Sequence, residues 1–452
     1  MVPEGWKDAL PRFAKRCYSS AKERDDTEPS CNEWSKGDFT MPTVSRRNTF
    51  RLLGSLALTP AALRGAMAQE KVLTIGMSFP LTGSLALQAG VARDAAIYAV
   101  DEANGKGGVG GYKLRTLVLD DASTTTGQYD PAIAATNARK MLQDASVIAA
   151  VGPLNSGSAK AVTPILSQGG LATISGSATN PDLNDPKFAQ IYRPAGLPIF
   201  FRTVTTDAYQ GPNFANYLVE VLKLQKVVVL DDGGAYGVGM ADAFAAQAAK
   251  KGMTVLIRDR LDPLNADYTA ILTRAKSLGT QALYYGGDPL AGAKVVKQSY
   301  DILPNIAKGG GDGVHTPDML TGGAMPAIQG WYATSAASHV LDDASSKPWA
   351  DRFFAKTGKY PADYTITYYD ATQVIIDAIA RVAQSGKPVN RANVRDAIQT
   401  TDLKTLQGTV AFDANGDLKS RTVSIFQVQY DAKYPLGDVV HQFRYVGVAP
   451  ET

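Results

Sequence analysis

The chain has 452 residues, 45% hydrophobic and 20% charged, enough for two or three folding units with full cores and unlike a disordered chain or a membrane bundle. Its formal charge is +3, but the first 68 residues hold 11 Lys/Arg and 8 Asp/Glu, leaving 35 of each sign beyond them. A neutral body without basic runs offers no electrostatic footprint for nucleic acid or an anionic membrane surface.

Residues 1–40 are polar and aperiodic and end before Met41, so they are expected to be a non-native extension upstream of the true start. Ser45–Arg51 is basic, and Leu52–Leu63 supplies only twelve residues of apolar run, too few to cross a bilayer core of ~30 Å. Ala66-Met67-Ala68 then offers a small-x-small cleavage pattern. Residues 41–68 therefore read as a signal peptide cleaved after Ala68, delivering a periplasmic product. The paired Arg46-Arg47 makes the signal Tat-like, with Phe50 one residue late for that motif. Both cysteines, Cys17 and Cys31, fall in the upstream stretch, so the mature chain is expected to have no disulfide, no thiol metal site and no lipid anchor.

From Lys71 onward, apolar runs alternate with amphipathic stretches, the pattern of a parallel sheet covered by helices on both faces. The predicted order is strand 72–77, helix 86–104, strand 114–119, helix 132–143, strand 147–151, helix 158–167 and strand 171–174. Loops 152–157 and 175–179 follow strands, where open α/β sheets build ligand sites. After Pro194 the pattern restarts with helix 212–222, strand 227–230, helix 238–250, strand 254–257, helix 268–278 and strand 282–285. Residues 348–399 read as mainly helical, and 409–429 as strands around an Asn415-Gly416 turn. The fold class is α/β with two such units.

Several blocks, in order, carry a likeness: IGMSFPLTG at 75–83, DEANGKGG at 101–108, Leu119-Asp120-Asp121, VGPLNSGS at 151–158, ISGSATN at 174–180, Arg202-Thr203, Gln210-Gly211-Pro212, YYGG at 284–287 and GGDGV at 310–314. On these the sequence resembles the leucine/isoleucine/valine-binding protein family, the type I periplasmic receptors that feed ABC importers. The resemblance implies two Rossmann-like lobes joined by three hinge strands, with crossings near Thr203, Ala336 and Phe426. Lobe 1 is then 69–203 plus 336–426, and lobe 2 is 204–335 plus 427–452. It further implies a monomer that closes on an amino acid and docks on the importer's permease subunits, without membrane insertion and without a cofactor.

An α-amino acid needs donors for its carboxylate, a carboxylate or carbonyls for its ammonium, and a side-chain pocket. Ser156 stands at a predicted helix N-terminus, where free N–H groups favour an anion, and Thr179 offers a second hydroxyl. The resemblance places the ligand carboxylate on Ser156 and Thr179, the ammonium on the Ser177 carbonyl and Asp312, and Tyr236 as an aromatic closing from the second lobe. Gln88 and Asp288 stand where the family carries tyrosines, and Ser123 with Asn155 replace a cysteine pair, which implies a more polar side-chain pocket.

Each Ser/Gly/Thr loop taken alone is equally a turn bonding its own backbone, and Tyr236 a rim aromatic. Asp120-Asp121 reads as a capping pair. Gly105–Gly111 and Gly309–Gly313 lack the Gly-Lys-Ser/Thr ending of a phosphate loop and read as turns. His315, His339 and His441 are scattered, and no nucleophile elbow appears, so neither a metal site nor catalysis is expected. The open alternatives are the same fold binding an aromatic acid, urea or a short amide, a ligand sensor or regulator, and a secreted hydrolase acting through Ser156.

Overall fold

The computed structural model describes residues 70–451. The signal and the upstream stretch lie outside the described residues. Five strands, β1 (Val72–Phe79), β2 (Lys113–Asp120), β3 (Val147–Val151), β4 (Thr173–Ser175) and β5 (Phe200–Arg202), make an all-parallel sheet in the order β2-β1-β3-β4-β5. Between them run α1 (Ala86–Gly105), α2 (Pro131–Gln143), α3 (Ser156–Gln168) and the short α4 (Ala189–Tyr192). All five residues of β3 are buried, as expected of a strand covered on both faces. One core packs the sheet against α1 and the later α11 (Asp363–Gln384); a second packs its other face against α2 and α3.

The second sheet has the order β14-β13-β10-β9-β8-β6-β7. Its parallel part is β6 (Lys226–Asp231), β7 (Thr254–Arg260), β8 (Ala282–Gly286), β9 (Ala307–Gly310) and β10 (Tyr332–Ser335); β13 (Ser424–Val428) and β14 (Phe443–Val448) add antiparallel. Its helices are α5 (Asp207–Asn216), α6 (Ala235–Lys250), α7 (Thr269–Ser277), α8 (Pro289–Ile302), α9 (Pro317–Gly323) and α13 (Val439–Gln442). The remaining elements, α10 (Lys347–Thr357), α11, α12 (Arg391–Gln399) and the hairpin of β11 (Asp402–Thr405) with β12 (Gly408–Ala411), return to the first lobe.

Three segments pass between the lobes side by side. The first follows Arg202, with Thr203 N–H bonding Ser175 O at 3.0 Å and Thr205 N–H bonding Ala336 O at 2.8 Å; the second begins at Ala336, after β10. Phe426 lies within β13, paired with Ala333 and Tyr445, so the third passage falls before Ser424, whose hydroxyl donates to Ala337 O at 2.8 Å. The Asn415-Gly416 turn is present, closed by a bridge between Phe412 and Leu418, but β12 pairs with β11 and β13 with β10 and β14. Alternation along a strand tells which side chains share a face and cannot name the partner strand.

Helix α5 begins at Asp207, five residues before the expected start at Pro212. Proline favours a first helical position because its missing N–H is one that needs no partner there, yet here it sits inside the helix. The correction brings Asp207 and Gln210 onto a first turn facing the hinge.

Arg202 is fully buried and fastens this region. Its Nε donates to Asp417 at 2.6 Å, and its Nη1 to Ala178 O at 3.0 Å and Asn180 O at 2.9 Å, so one guanidinium holds the backbone on both sides of Thr179. Removing one partner of such a pair strands the others without donors, at about 3 kcal/mol. Arg202→Met is expected to lower the thermal midpoint by several degrees and, by loosening residues 178–180, to weaken ligand binding; scanning calorimetry with and without ligand checks both.

Candidate functional site

The ends of β3 and β4 in the first lobe face the ends of β6, β8 and β9 in the second. Asn155 caps α3 by position but not by side chain. Its Nδ2 instead crosses to Asp288 Oδ2 at 3.2 Å. The first turn of α3 thus presents its N–H dipoles without a side-chain cap. Ser156, its first residue, is buried and accepts from Asn180 N–H at 3.2 Å, which leaves its own hydroxyl proton to donate. Thr179 is fully buried and its Oγ1 has no hydrogen-bond partner. Ser177 Oγ bonds Leu154 O at 2.8 Å and the Tyr368 hydroxyl at 2.6 Å, which fixes the loop and leaves the expected role to the Ser177 carbonyl.

On the second lobe, β9 ends in the turn that carries Asp312. A Cβ on Gly311 would stand 2.4 Å from Tyr236 Oη and one on Gly313 would stand 2.2 Å from Gly287 O, so this loop packs only because those positions have no side chain. Tyr236, in the first turn of α6, donates to Asp312 Oδ1 at 2.9 Å and accepts from Gly313 N–H at 3.0 Å. Gln210 donates to Thr334 Oγ1 at 2.8 Å and the Tyr364 hydroxyl accepts from Ala336 N–H at 3.3 Å, and both stand near enough to the Asp312 carboxyl to favour its charged form. Burial raises its pKa, and these contacts oppose the rise.

Asp207 was not among the residues singled out from the sequence. It is fully buried, and neither carboxyl oxygen has a hydrogen-bond partner. Burial drives its pKa well above the usual carboxylate range, the Asp312 charge adds to the rise, and the Thr179 hydroxyl opposes it. Its N–H bonds Thr179 O at 3.1 Å. The signal that could have found it is an acid three residues before Gln210-Gly211-Pro212, but the helix start assigned to Pro212 left it in a loop.

Thr179, Tyr236 and Asp312 are thus neighbours of Asp207, and Ser156 stands one hydrogen bond away from Asn180, the residue after Thr179. Asp288 lies at the edge of this group. Its N–H donates to Asp232 Oδ2 at 2.7 Å and its carbonyl accepts from the Tyr285 hydroxyl at 2.8 Å. Burial first, then the charges of Asp232 and Asp312, raise its pKa well above normal. Gln88 is elsewhere. It lines a cavity of about 280 Å³ formed by the start of α1, the segment leading into α11, and the residues after Asp312. Most of that wall is apolar, so the polar pocket expected from Gln88 and Asp288 is not formed by the pair: Asp288 is turned to Asn155. Ser123 accepts from Thr125 N–H at 3.3 Å, as a turn residue does.

The Asp120-Asp121 pair divides. Asp120 accepts from Leu81 N–H and Ala122 N–H, both at 2.9 Å. Asp121 is fully buried with both oxygens unpartnered, and burial raises its pKa to about 7, so the capping reading fits the first and not the second.

Closure rests on contacts between lobes. Asn180 Nδ2 donates to Ala235 O at 2.9 Å. The α1 N-cap position is Leu85, which has no polar group to offer, and Asp318 of α9 takes that role from the other lobe, accepting from Leu87 N–H at 3.1 Å and Gln88 N–H at 2.9 Å. Burial raises its pKa to about 6.

Two α/β lobes on a three-segment hinge, with polar groups of both converging between them, define a ligand-enclosing receptor. Residues 72–433 match the family model described as periplasmic binding protein. The chain is 31% identical over 381 residues to the Leu/Ile/Val-binding protein BraC3 of Rhizobium johnstonii, covering 84% of this chain and 96% of that one. It is 27% identical over 382 residues to the leucine-, isoleucine-, valine-, threonine- and alanine-binding protein of Pseudomonas aeruginosa, covering 84% and 96%. Among solved structures, the substrate-binding protein LivJ of Streptococcus pneumoniae in complex with isoleucine superposes with a TM-score of 0.70 at 22% identity, over 84% of this chain and all of that one. The protein belongs to the periplasmic binding protein family, among its Leu/Ile/Val-binding members.

The Asp318 contact yields a test of closure. Asp318→Ala removes two charge-assisted hydrogen bonds that exist only with the lobes together. Stopped-flow release of bound ligand is expected to quicken about tenfold, at about 1.4 kcal/mol per factor of ten, with the unfolding midpoint of ligand-free protein little changed.

Proposed function

We propose that the protein is an exported receptor that encloses an α-amino acid between its lobes and delivers it to the permease of an ABC importer. The observation that carries this is Asp207: a fully buried carboxyl with two unpartnered oxygens beside a second buried carboxyl, Asp312. Buried charge is tolerated when it is paired, and an ammonium between the two acids pairs both. At the other end, the Thr179 and Ser156 hydroxyls and the uncapped first turn of α3 suit the carboxylate. The group does what a zwitterion requires, and it holds no base and nucleophile arranged for turnover.

The names of the relatives point the same way, to leucine, isoleucine and valine. A solute-binding protein of R. palustris solved with benzoate shares the fold, with a TM-score of 0.68. A plain carboxylic acid placed here would face Asp207 and Asp312 with no ammonium between them, so the acids argue against that class for this chain. Freely diffusing monomers and export through the 41–68 signal belong to the same proposal.

The test is to unfold and refold the purified protein to strip carried ligand, then screen amino acids by thermal shift. A ligand at 100 times its Kd adds about 2.7 kcal/mol. Asp312→Asn is expected to weaken binding tenfold to a hundredfold, the worth of a charged hydrogen bond of about 1.5–3 kcal/mol. Both acids hold their protons more tightly in the empty site than an ordinary carboxyl does, and the ammonium needs them ionised. Affinity is therefore expected to be full where both acids are ionised and the ligand ammonium still holds its proton, and to fall as pH drops through the acids' raised pKa values, a loss that begins above the usual carboxylate range. Absence of a shift with every amino acid, or affinity that rises on acidification, defeats the proposal.

A further inference from the structure

The 280 Å³ cavity beside Asp312 is larger than the branched-chain names imply. A cavity of about 150 Å³ already accepts benzene, and a leucine side chain is smaller than that ring. Filling so large a space with four carbons leaves wall atoms without contact partners.

The cavity starts where the ammonium site ends. Tyr364 belongs to both, lining the cavity and neighbouring the Asp312 carboxyl, and His315 N–H bonds Asp312 O at 3.0 Å. Leu87, Val91, Pro317 and Tyr360 supply apolar wall. Gln88, Lys359, Thr365 and Asp438 also line the cavity, Lys359 paired with Asp94 and Asp438 with His441, and His315 is the polar side chain next to Asp312 in the chain turn. It is 9% exposed, stacked on Phe426 with centroids 4.2 Å apart and met edge-on by Phe443 at 4.7 Å. Those rings fix the plane of the imidazole on the cavity wall, and among the described residues its ring nitrogens find no hydrogen-bond partner. Burial depresses its pKa to about 3, so the ring is neutral and offers one donor and one acceptor. Its nitrogens are not sealed from solvent, so a ligand atom entering the cavity can take the place of water on them.

We infer that the preferred ligand is an amino acid with an aromatic side chain that bears a hydrogen-bonding group, a phenol or an indole, with the ring in this cavity and its polar atom on His315. The inference rests on the amino-acid reading above and narrows it. His315 acts here as a specificity residue. A pocket that hydrogen-bonds a ligand hydroxyl rejects the analogue lacking it far more strongly than an apolar pocket rejects a missing methylene.

Calorimetric titration of the refolded protein with glycine, leucine, phenylalanine, tyrosine and tryptophan tests it. Tyrosine or tryptophan is expected to bind at least tenfold tighter than leucine and than phenylalanine, and His315→Phe to bring tyrosine and phenylalanine within about threefold of each other. Should His315→Phe fail to fold, Val91→Trp, which fills the cavity from a partly exposed helix position, is expected to cut the ratio of aromatic to glycine affinity at least tenfold. Leucine or a smaller amino acid binding as tightly as every aromatic one overturns the inference and leaves the amino-acid reading standing, as does a preference untouched by both variants. No binding of any amino acid overturns the reading itself, and the inference with it.

Discussion

Two carboxyl groups, Asp207 and Asp312, are buried near enough for the charge of Asp312 to raise the Asp207 pKa, and among the described residues neither is in an ion pair; the site is organised around that cost. In water two such groups ionise independently; out of water each raises the other's pKa and each loses its solvation. The arrangement survives because neither acid is free to leave. Asp207 is fixed by the first turn of α5 and by its N–H bond to Thr179 O. Asp312 is fixed by a loop so tightly packed that two of its glycines have no room for a Cβ. Tyr236 then holds the carboxyl itself. Rigid presentation of an unsatisfied charge is what lets a ligand cation gain more here than it loses in leaving water.

The same pair couples binding to shape. Thr179 belongs to the first lobe, Asp312 and Tyr236 to the second, and Asp207 stands directly after the hinge segment that joins them. A ligand that touches all four stabilises only the state in which the lobes are together, which is the condition for a ligand to shift a conformational equilibrium. Backbone contacts support that state from outside the site. Asp318 caps a helix of the other lobe, and Asn155 spends its side chain on Asp288 rather than on its own helix. The α1 N-terminus, whose own Leu85 has nothing to offer, is completed by the opposing lobe, and that of α3, whose Asn155 could have capped it, is left open by it.

Much of this was legible in the sequence where physics is local. The runs at 147–151 and 227–230 alternate with amphipathic stretches, so the buried parallel strands were readable, and Ser156 and Thr179 follow strand ends where a site belongs. What was not legible depended on distant partners. β9 is Ala307–Gly310, half glycine, and has no β propensity of its own; it is a strand because β8 and β10 lie on either side. Phe426 reads as a strand residue but its neighbours in the sheet come from 333 and 445. Asp207 was hidden by a sound rule about proline at helix starts, overridden because tertiary packing carries α5 back past Pro212. His315 was weighed only as a metal ligand, since its stacking on Phe426 and Phe443 joins residues more than a hundred positions apart.

The acids also explain why charge in this protein has to be judged locally. The body carries equal numbers of each sign beyond residue 68, so no net field draws a charged solute from a distance. Discrimination must arise within the cleft, where Asp207, Asp232, Asp288 and Asp312 are all buried. They are not equivalent. Asp232 accepts the N–H groups of Asp288 and Gly234, and Asp288 accepts from Asn155, so each already has a donor. Arg202, the buried cation nearby, gives its Nε to Asp417 and its Nη1 to the carbonyls of Ala178 and Asn180, while its Nη2 has no partner and its charge partly offsets the rise in the Asp207 pKa. Asp312 has its donor in Tyr236, so of these four acids Asp207 alone has neither carboxyl oxygen hydrogen-bonded, while the hydroxyls of Thr179 and Ser156 and the open end of α3 supply donors. A lone anion meets the wrong charge at one end, and a lone cation leaves hydroxyls and helix amides unused at the other. A molecule carrying both charged groups on one carbon satisfies the two ends in one closure.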